Sequence, residues 1–255
     1  MRIVLDTDER IIIRKEGGRE ERFPLFSNEA FEILSHFWLK VGWNQRYTFT
    51  FSWLGRPVIQ LPEDLIRYQE VIYALKPDLI IETGVAKGGS LVFSASICKL
   101  LGKGRVVGVD IDIRAHNREA LEKHLLASLI TLVEGNSIDE NVLDQVKAEV
   151  HPGETVLVLL DSCHSKAHML AELEAYSPFV SMGSYIIATD GFMADLYDVP
   201  RGRTEWKMDN AQEAVKEFVK RHPEFELQVP KKPYNESTLE KGPTQWPQAW
   251  LRRTR

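Results

Sequence analysis

Cysteine is scarce in this chain: two in 255 residues, Cys98 and Cys163, with no CxxC pair and no Cys/His metal spacing. That excludes a disulfide framework and a zinc ribbon, and two reduced thiols fit a reducing compartment. Long apolar runs are missing too. None approaches the roughly 20 residues that span a bilayer, so no membrane partner is expected. The opening MRIVLDTDERIII alternates charge with apolar residues and has no hydrophobic core segment or small-residue cleavage site. No signal peptide is expected there, and a cytoplasmic location follows. Positive charge is not in excess: 32 Lys and Arg stand against 37 Asp and Glu, a net charge of -5. Binding along a phosphate backbone needs clustered basic residues, so no nucleic acid is expected as a partner, although Arg252, Arg253 and Arg255 form a small basic tail. The dinucleotide fingerprint GxGxxG and the Walker sequence GxxxxGK[ST] are both absent, as are internal repeats and low-complexity tracts.

What is present is an ordinary globular composition, 44% hydrophobic and 27% charged, long enough to bury a sizeable core. Residues 1–62 predict an extension. RIVLD, RIIIRK and ERFPLF read as short strands with Gly17-Gly18 as a turn, and residues 28–41 have helical periodicity behind cap chemistry at Ser27. Residues 42–62 are aromatic and punctuated by Gly55, Pro57 and Pro62. They suit a packed connector, a substrate lid or an oligomer contact, and the density of Trp43, Tyr47, Phe49, Phe51 and Trp53 favours a homo-oligomer. From residue 63 to 255 the pattern becomes regular. Apolar strands (LIIET, VVGVD, ITLVE, TVLVLL, SYIIA) alternate with amphipathic helices, and FELQV and QAWLRR supply two final strands. Continuous apolar strands between helices predict a doubly wound α/β domain on a mostly parallel seven-stranded sheet, covered on both faces.

The residues with chemical potential fall at predicted strand ends, where ligands sit in doubly wound folds. Glu82-Thr83-Gly84-Val85-Ala86-Lys87-Gly88-Gly89-Ser90 follows the first of these strands. Its GxxxGG spacing fits close backbone approach to a ligand, or simply tight packing. Glu82 suits the cationic end of a ligand better than a pyrophosphate. Asp110 closes VVGVD about 20 residues on, where an acid can accept ribose hydroxyls; Asp112 is a competitor on the same side of an extended segment. Gly135-Asn136-Ser137 follows LVE and could equally cap the next helix. Asp161 ends the most apolar strand and His164 lies three residues beyond. Thr189-Asp190-Gly191 ends YIIA. Two carboxylates at neighbouring strand ends can share a hard divalent cation such as Mg²⁺, and His164 suits a general base near neutrality. The other histidines considered, His116, His124, His151, His168 and His222, read as surface or helix residues.

The E-x-G-x-x-x-G-G turn resembles the first motif of class I methyltransferases. The stretches IIETGVAKGGSLVF, VVGVDID, LVEGNSID, LLDSCHS and GSYIIATDG, taken in order, resemble the cephalosporin hydroxylase family of S-adenosyl-L-methionine (SAM)-dependent O-methyltransferases, and are similar to metal-dependent macrolide-sugar O-methyltransferases. The likeness runs from about residue 60 to 195, with an echo in AWLRR. It implies a Rossmann-like methyltransferase fold. It also implies a SAM site at Glu82, Gly84, Lys87, Gly88, Gly89, Ser90, Asp110, Asn136, Ser137 and Asp161, with the adenine near Gly135-Asn136-Ser137. Asp161 and Asp190 would be Mg²⁺ ligands, His164 the base assisted by Asp161, and the acceptor a hydroxyl of a saccharide or small metabolite. The sequence departs at one ligand: the Glu-Asp pair of those enzymes is Thr189-Asp190 here, so Thr189 offers only a hydroxyl. The rival expectations are an NAD- or nucleotide-sugar-dependent enzyme on the same fold, and a non-catalytic SAM-binding scaffold.

Overall fold

The computed structural model describes residues 1–255. Strands β1 (Arg2–Asp6), β2 (Ile11–Glu16) and β3 (Arg19–Pro24) form a separate antiparallel meander, as the β-branched runs predict. Helix α1 (Asn28–Asn44) starts at Ser27, whose hydroxyl accepts the Ala30 amide, a standard N-cap. It runs on past the expected break at Gly42. The aromatic connector is more ordered than its composition suggests: a 3-10 turn at Tyr47–Thr50 leads into a hairpin of β4 (Phe51–Trp53) and β5 (Arg56–Val58).

The main sheet has seven strands: β6 (Leu79–Thr83), β7 (Arg105–Asp110), β8 (Ile130–Glu134), β9 (Val156–Leu160), β10 (Tyr185–Ala188), β11 (Phe225–Leu227) and β12 (Trp250–Arg253). Their spatial order is β11-β12-β10-β9-β6-β7-β8. Five of them, β10 through β8, pair in parallel, and β12 runs antiparallel to both β10 and β11. The chain builds outward from β6 to β7 and β8, then returns to the other side of β6 with β9. The order therefore reverses between β6 and β9, the place where such sheets open a crevice at their carboxyl ends.

Side-chain alternation along the strands divides the core. Ile80, Val106, Leu157, Leu159 and Ile187 face helices α2 (Pro62–Leu75) and α3 (Gly89–Leu101). Leu79, Ile81, Val107, Val158 and Ile186 face α5 (Glu140–Ala148), α6 (Lys166–Tyr176) and α7 (Ala211–Arg221). The two clusters hold 23 and 22 buried residues, so the sheet is covered on both faces. Helix α4 (Ala115–Glu122) is shorter than its periodic pattern, ending in a turn and a second 3-10 segment at Ala127–Leu129. A third, small core of Leu39, Leu61, Phe192, Met193 and Leu196 ties α1 to the segment after β10. No helix is long and apolar enough to cross a membrane.

Candidate functional site

The strand ends at the reversal are held together by a glycine. Gly84 has φ +92°, and a Cβ there would stand 2.0 Å from the backbone oxygen of Asp161. Gly84 thus lets the ends of β6 and β9 touch, which brings the two loops into one site. The other two glycines of the turn serve packing: a Cβ on Gly88 would strike the Leu121 side chain, and one on Gly89 the backbone of Pro57. Lys87 is exposed, and its carbonyl accepts from the Arg56 guanidinium at 2.9 Å. Glu82 is fully buried, and Ser90 donates its hydroxyl to it. Burial pushes the Glu82 carboxyl up to about 8, partly offset by Ser90. No cationic group stands beside it. Of the turn, Gly84 and Ala86 line the adjoining cavity, whereas Glu82, Lys87, Gly88, Gly89 and Ser90 do not.

That cavity, about 250 Å³, is lined by Gly84, Ala86, Asp110, Asn136, Ser137, Asp161 and their neighbours. Four of the five strand-end loops nominated from the sequence therefore converge on it. Asp110 accepts the amides of Val85 and Ala86 at 2.8 and 2.9 Å on one oxygen and that of Asp112 at 3.1 Å on the other. It fixes the shape of the glycine turn while facing the cavity, and Asp112 is exposed outside it.

Beside this cavity lies an acidic centre. Ligand atoms of Asp161, His164 and Asp190 all come within 4.8 Å of one another. Asp161 is gripped on both oxygens: Gln60 donates its amide to one at 2.7 Å and Thr189 donates its hydroxyl to the other. Burial, and then the neighbouring Asp190, holds the Asp161 carboxyl well above the usual range. Asp190, raised by burial with His164 opposing, adopts a left-handed backbone at φ +56°, a strain typical of functional positions. His164 Nε2 lies 3.4 Å from Asp190, and its buried Nδ1 has no partner. Two carboxylates that resist ionising alone, next to an imidazole, form a donor set suited to a hard divalent cation that keeps several waters. Thr189, expected to offer its hydroxyl to the cation, is fully buried, with that hydroxyl hydrogen-bonded to Asp161 and the Leu160 carbonyl.

Three features escaped the sequence. Gln60, from the connector, reaches across to Asp161. Asp64 in the first turn of α2 is buried, accepts from Thr244 and from the Gln245 amide, and is pushed up to about 7 chiefly by burial. His168 is a helix residue, as read, and from the first turn of α6 it also lines the cavity. Its neighbour Glu172 is fully buried and accepts the hydroxyls of Ser137 and Ser162 at 2.6 and 2.7 Å. Helix α6 begins at Lys166 behind the Ser165 cap. Its first turns therefore face the site, and the i,i+4 spacing of His168 and Glu172 was the available signal.

The fold and site define a doubly wound α/β protein with a polar cavity and an acidic centre at its switch point. The chain belongs to the Rhamnosyl O-methyltransferase/CmcI family, whose model matches residues 45–254. The rhamnosyl O-methyltransferase of Mycobacterium tuberculosis (strain ATCC 25618 / H37Rv) is 33% identical over 130 residues, covering 50% of this chain and 51% of that protein. That of Mycobacterium leprae (strain TN) is 29% identical over 144 residues, covering 55% and 60%. The chain spans about half the length of the first curated relatives it matches. Among solved structures, CmcI with Mg and SAM superposes with a TM-score of 0.53 at 19% identity, over 80% of this chain and 77% of that one. An apo structure of CmcI gives 0.52 at 20% identity, over 80% and 76%. These likenesses establish the fold.

Proposed function

We propose that this chain is a SAM-dependent O-methyltransferase acting on a hydroxyl of a sugar or small metabolite. The observation that carries the reading is the meeting of Asp161, His164 and Asp190 at the edge of the cavity lined by Gly84, Asp110, Asn136 and Ser137. Family membership and the relatives named as rhamnosyl O-methyltransferases support it.

SAM fits the cavity in the character of its lining: Asp110 for the ribose hydroxyls, and Asn136 and Ser137 for the base. When bound it supplies a methyl group made electrophilic by a sulfonium. Asp161 and Asp190 would hold a divalent cation, which lowers the pKa of a coordinated hydroxyl and fixes its position. Gln60 and Thr189 keep Asp161 in one orientation, so the oxygen of the acceptor meets a preset geometry, the main source of acceleration in a two-substrate transfer. His164 takes the hydroxyl proton. The acceptor would enter from a cavity of about 530 Å³ lined by His36, Phe37, Phe192, Asp195 and Thr244 among others, a mixture of aromatic faces and polar groups that suits a sugar-like ligand.

We further propose a cytoplasmic homo-oligomer. Trp53, Phe49 and Tyr47 remain 36%, 51% and 37% exposed, while Trp43 packs on Trp206. Light scattering at micromolar protein checks this; a monomer mass overturns it. The activity is tested in two steps. SAM and its demethylated product should raise the melting temperature, and NAD should not. Transfer of labelled methyl to a panel of free and glycosidic sugars should then depend on Mg²⁺. A shift with NAD alone overturns the cofactor, and full activity in EDTA overturns the cation.

A further inference from the structure

We propose that His168 reads the exocyclic amino group of the cofactor's adenine by accepting a hydrogen bond at Nδ1. The proposal rests on the SAM reading above and assigns a specificity residue that none of the sequence motifs contains.

Ser137 has one hydroxyl proton and donates it to Glu172 Oε1 at 2.6 Å. Ser162 donates to the same oxygen at 2.7 Å. The two atoms near His168 Nε2 are Ser137 Oγ at 3.3 Å and Glu172 Oε1 at 3.5 Å. With its proton committed, Ser137 Oγ can only accept, and a carboxylate oxygen accepts by nature. Nε2 must therefore carry the ring proton. The hydrogen bond to Glu172 raises the ring's hold on a second proton, so the titrations belong at a pH above that range, where the ring is neutral and the other nitrogen is an acceptor. Nothing in the protein donates to Nδ1, while the ring lines the cavity beside Asn136 and Ser137. Glu172 is fully buried with its second oxygen unpartnered. It is thus an interior anchor that fixes the tautomer, as the orienting carboxylate does in many histidine sites.

A fixed acceptor at the base end of a nucleoside cavity discriminates by donor pattern. Adenine presents an amino group at its six position, which donates. Hypoxanthine presents an oxo group there, whose lone pairs would face the lone pair of Nδ1. A site that hydrogen-bonds an N–H rejects the analogue lacking it because its own polar group is left unpaired.

The test is calorimetric titration of S-adenosylhomocysteine and its oxo analogue S-inosylhomocysteine into the wild type, His168→Ala and His168→Asn. The wild type should prefer the adenine compound by about 10- to 100-fold, the size of one good hydrogen bond gained and one acceptor clash avoided. His168→Ala should bring the two affinities within about threefold, by weakening the adenine compound and relieving the clash with the inosine compound. His168→Asn, which can return an amide oxygen near the place of Nδ1, should recover part of the preference. A preference that survives in His168→Ala, or none in the wild type, overturns the assignment while leaving the cofactor reading standing. Loss of both ligands in His168→Ala would make the residue structural and overturn it as well. Failure of S-adenosylhomocysteine to bind the wild type would overturn the cofactor reading itself.

Discussion

Replacing Glu82 by Gln separates a buried acid from every other titrating group in the protein. The Glu82 carboxyl sits inside β6 with no exposed surface, one oxygen accepting from Ser90 and the other without a partner. Burial lifts it to about 8, against about 4.3 in an unfolded chain. A group that holds its proton more tightly when folded stabilises the fold at low pH. That contribution is lost as the pH rises through the folded value. Between about pH 6 and pH 9 the unfolded chain is already ionised at this residue, while the folded chain surrenders the proton around 8. At about 1.4 kcal/mol per pH unit, Glu82 alone should withdraw about 2–3 kcal/mol of stability over that interval. Gln is neutral, keeps an acceptor for Ser90, and contributes no slope. Urea unfolding of both proteins at intervals from about pH 6 to pH 9 should find the variant already ahead of wild type by about 2 kcal/mol at the acid end, because the unfolded chain is ionised there and the folded one is not. At the alkaline end its lead should be larger by the difference above. Asp64 and Asp190 titrate in both proteins and cancel in the comparison, whereas Asp161 feels the Glu82 charge. Parallel stability curves would refute the reasoning, for they would mean that Glu82 is ionised in the folded protein, as a partner of the cationic group that its place in the turn suggested.

Asp110→Asn keeps an acceptor for the Val85 and Ala86 amides but loses the charge, so S-adenosylhomocysteine should bind more weakly by about 1–3 kcal/mol in calorimetry; an unchanged affinity would remove Asp110 from the site. His164→Ala should leave that affinity intact and lower turnover about 10²- to 10⁴-fold; a wild-type rate would place the proton acceptor elsewhere. Gly84→Ala forces a Cβ to 2.0 Å from the Asp161 carbonyl oxygen at a left-handed φ. It should cost about 3 kcal/mol or more and lower the melting temperature; an unshifted melting curve would show that the two strand ends need not touch.

The sequence by itself determined the architecture. Apolar strands such as LIIET and TVLVLL, each followed by a helical period, leave a two-sided parallel sheet as the economical way to bury both faces, and the final FELQV and QAWLRR strands complete it. It also located four of the loops at the site, because chemistry at the carboxyl edge must begin where an apolar run stops: Gly84 and Asp161 directly follow a strand, Asp110 closes one, and Asn136-Ser137 lie two and three residues past another. What tertiary structure decided is which of those residues face the cavity. Glycine in GxxxGG is compatible with ligand approach and with packing alike. Only the fold shows Gly88 pressed on Leu121, Gly89 on Pro57, and Glu82 sealed against Ser90. Gln60, Asp64 and Thr244 carry no local signal at all. They meet the site through contacts that span 101 to 181 residues of chain, and separations of that kind are set by packing, not by any periodicity that a linear pattern records. His168 lies between these extremes. Its helical spacing from Glu172 was legible, but its orientation depended on Ser165 starting α6 early enough to turn that face inward.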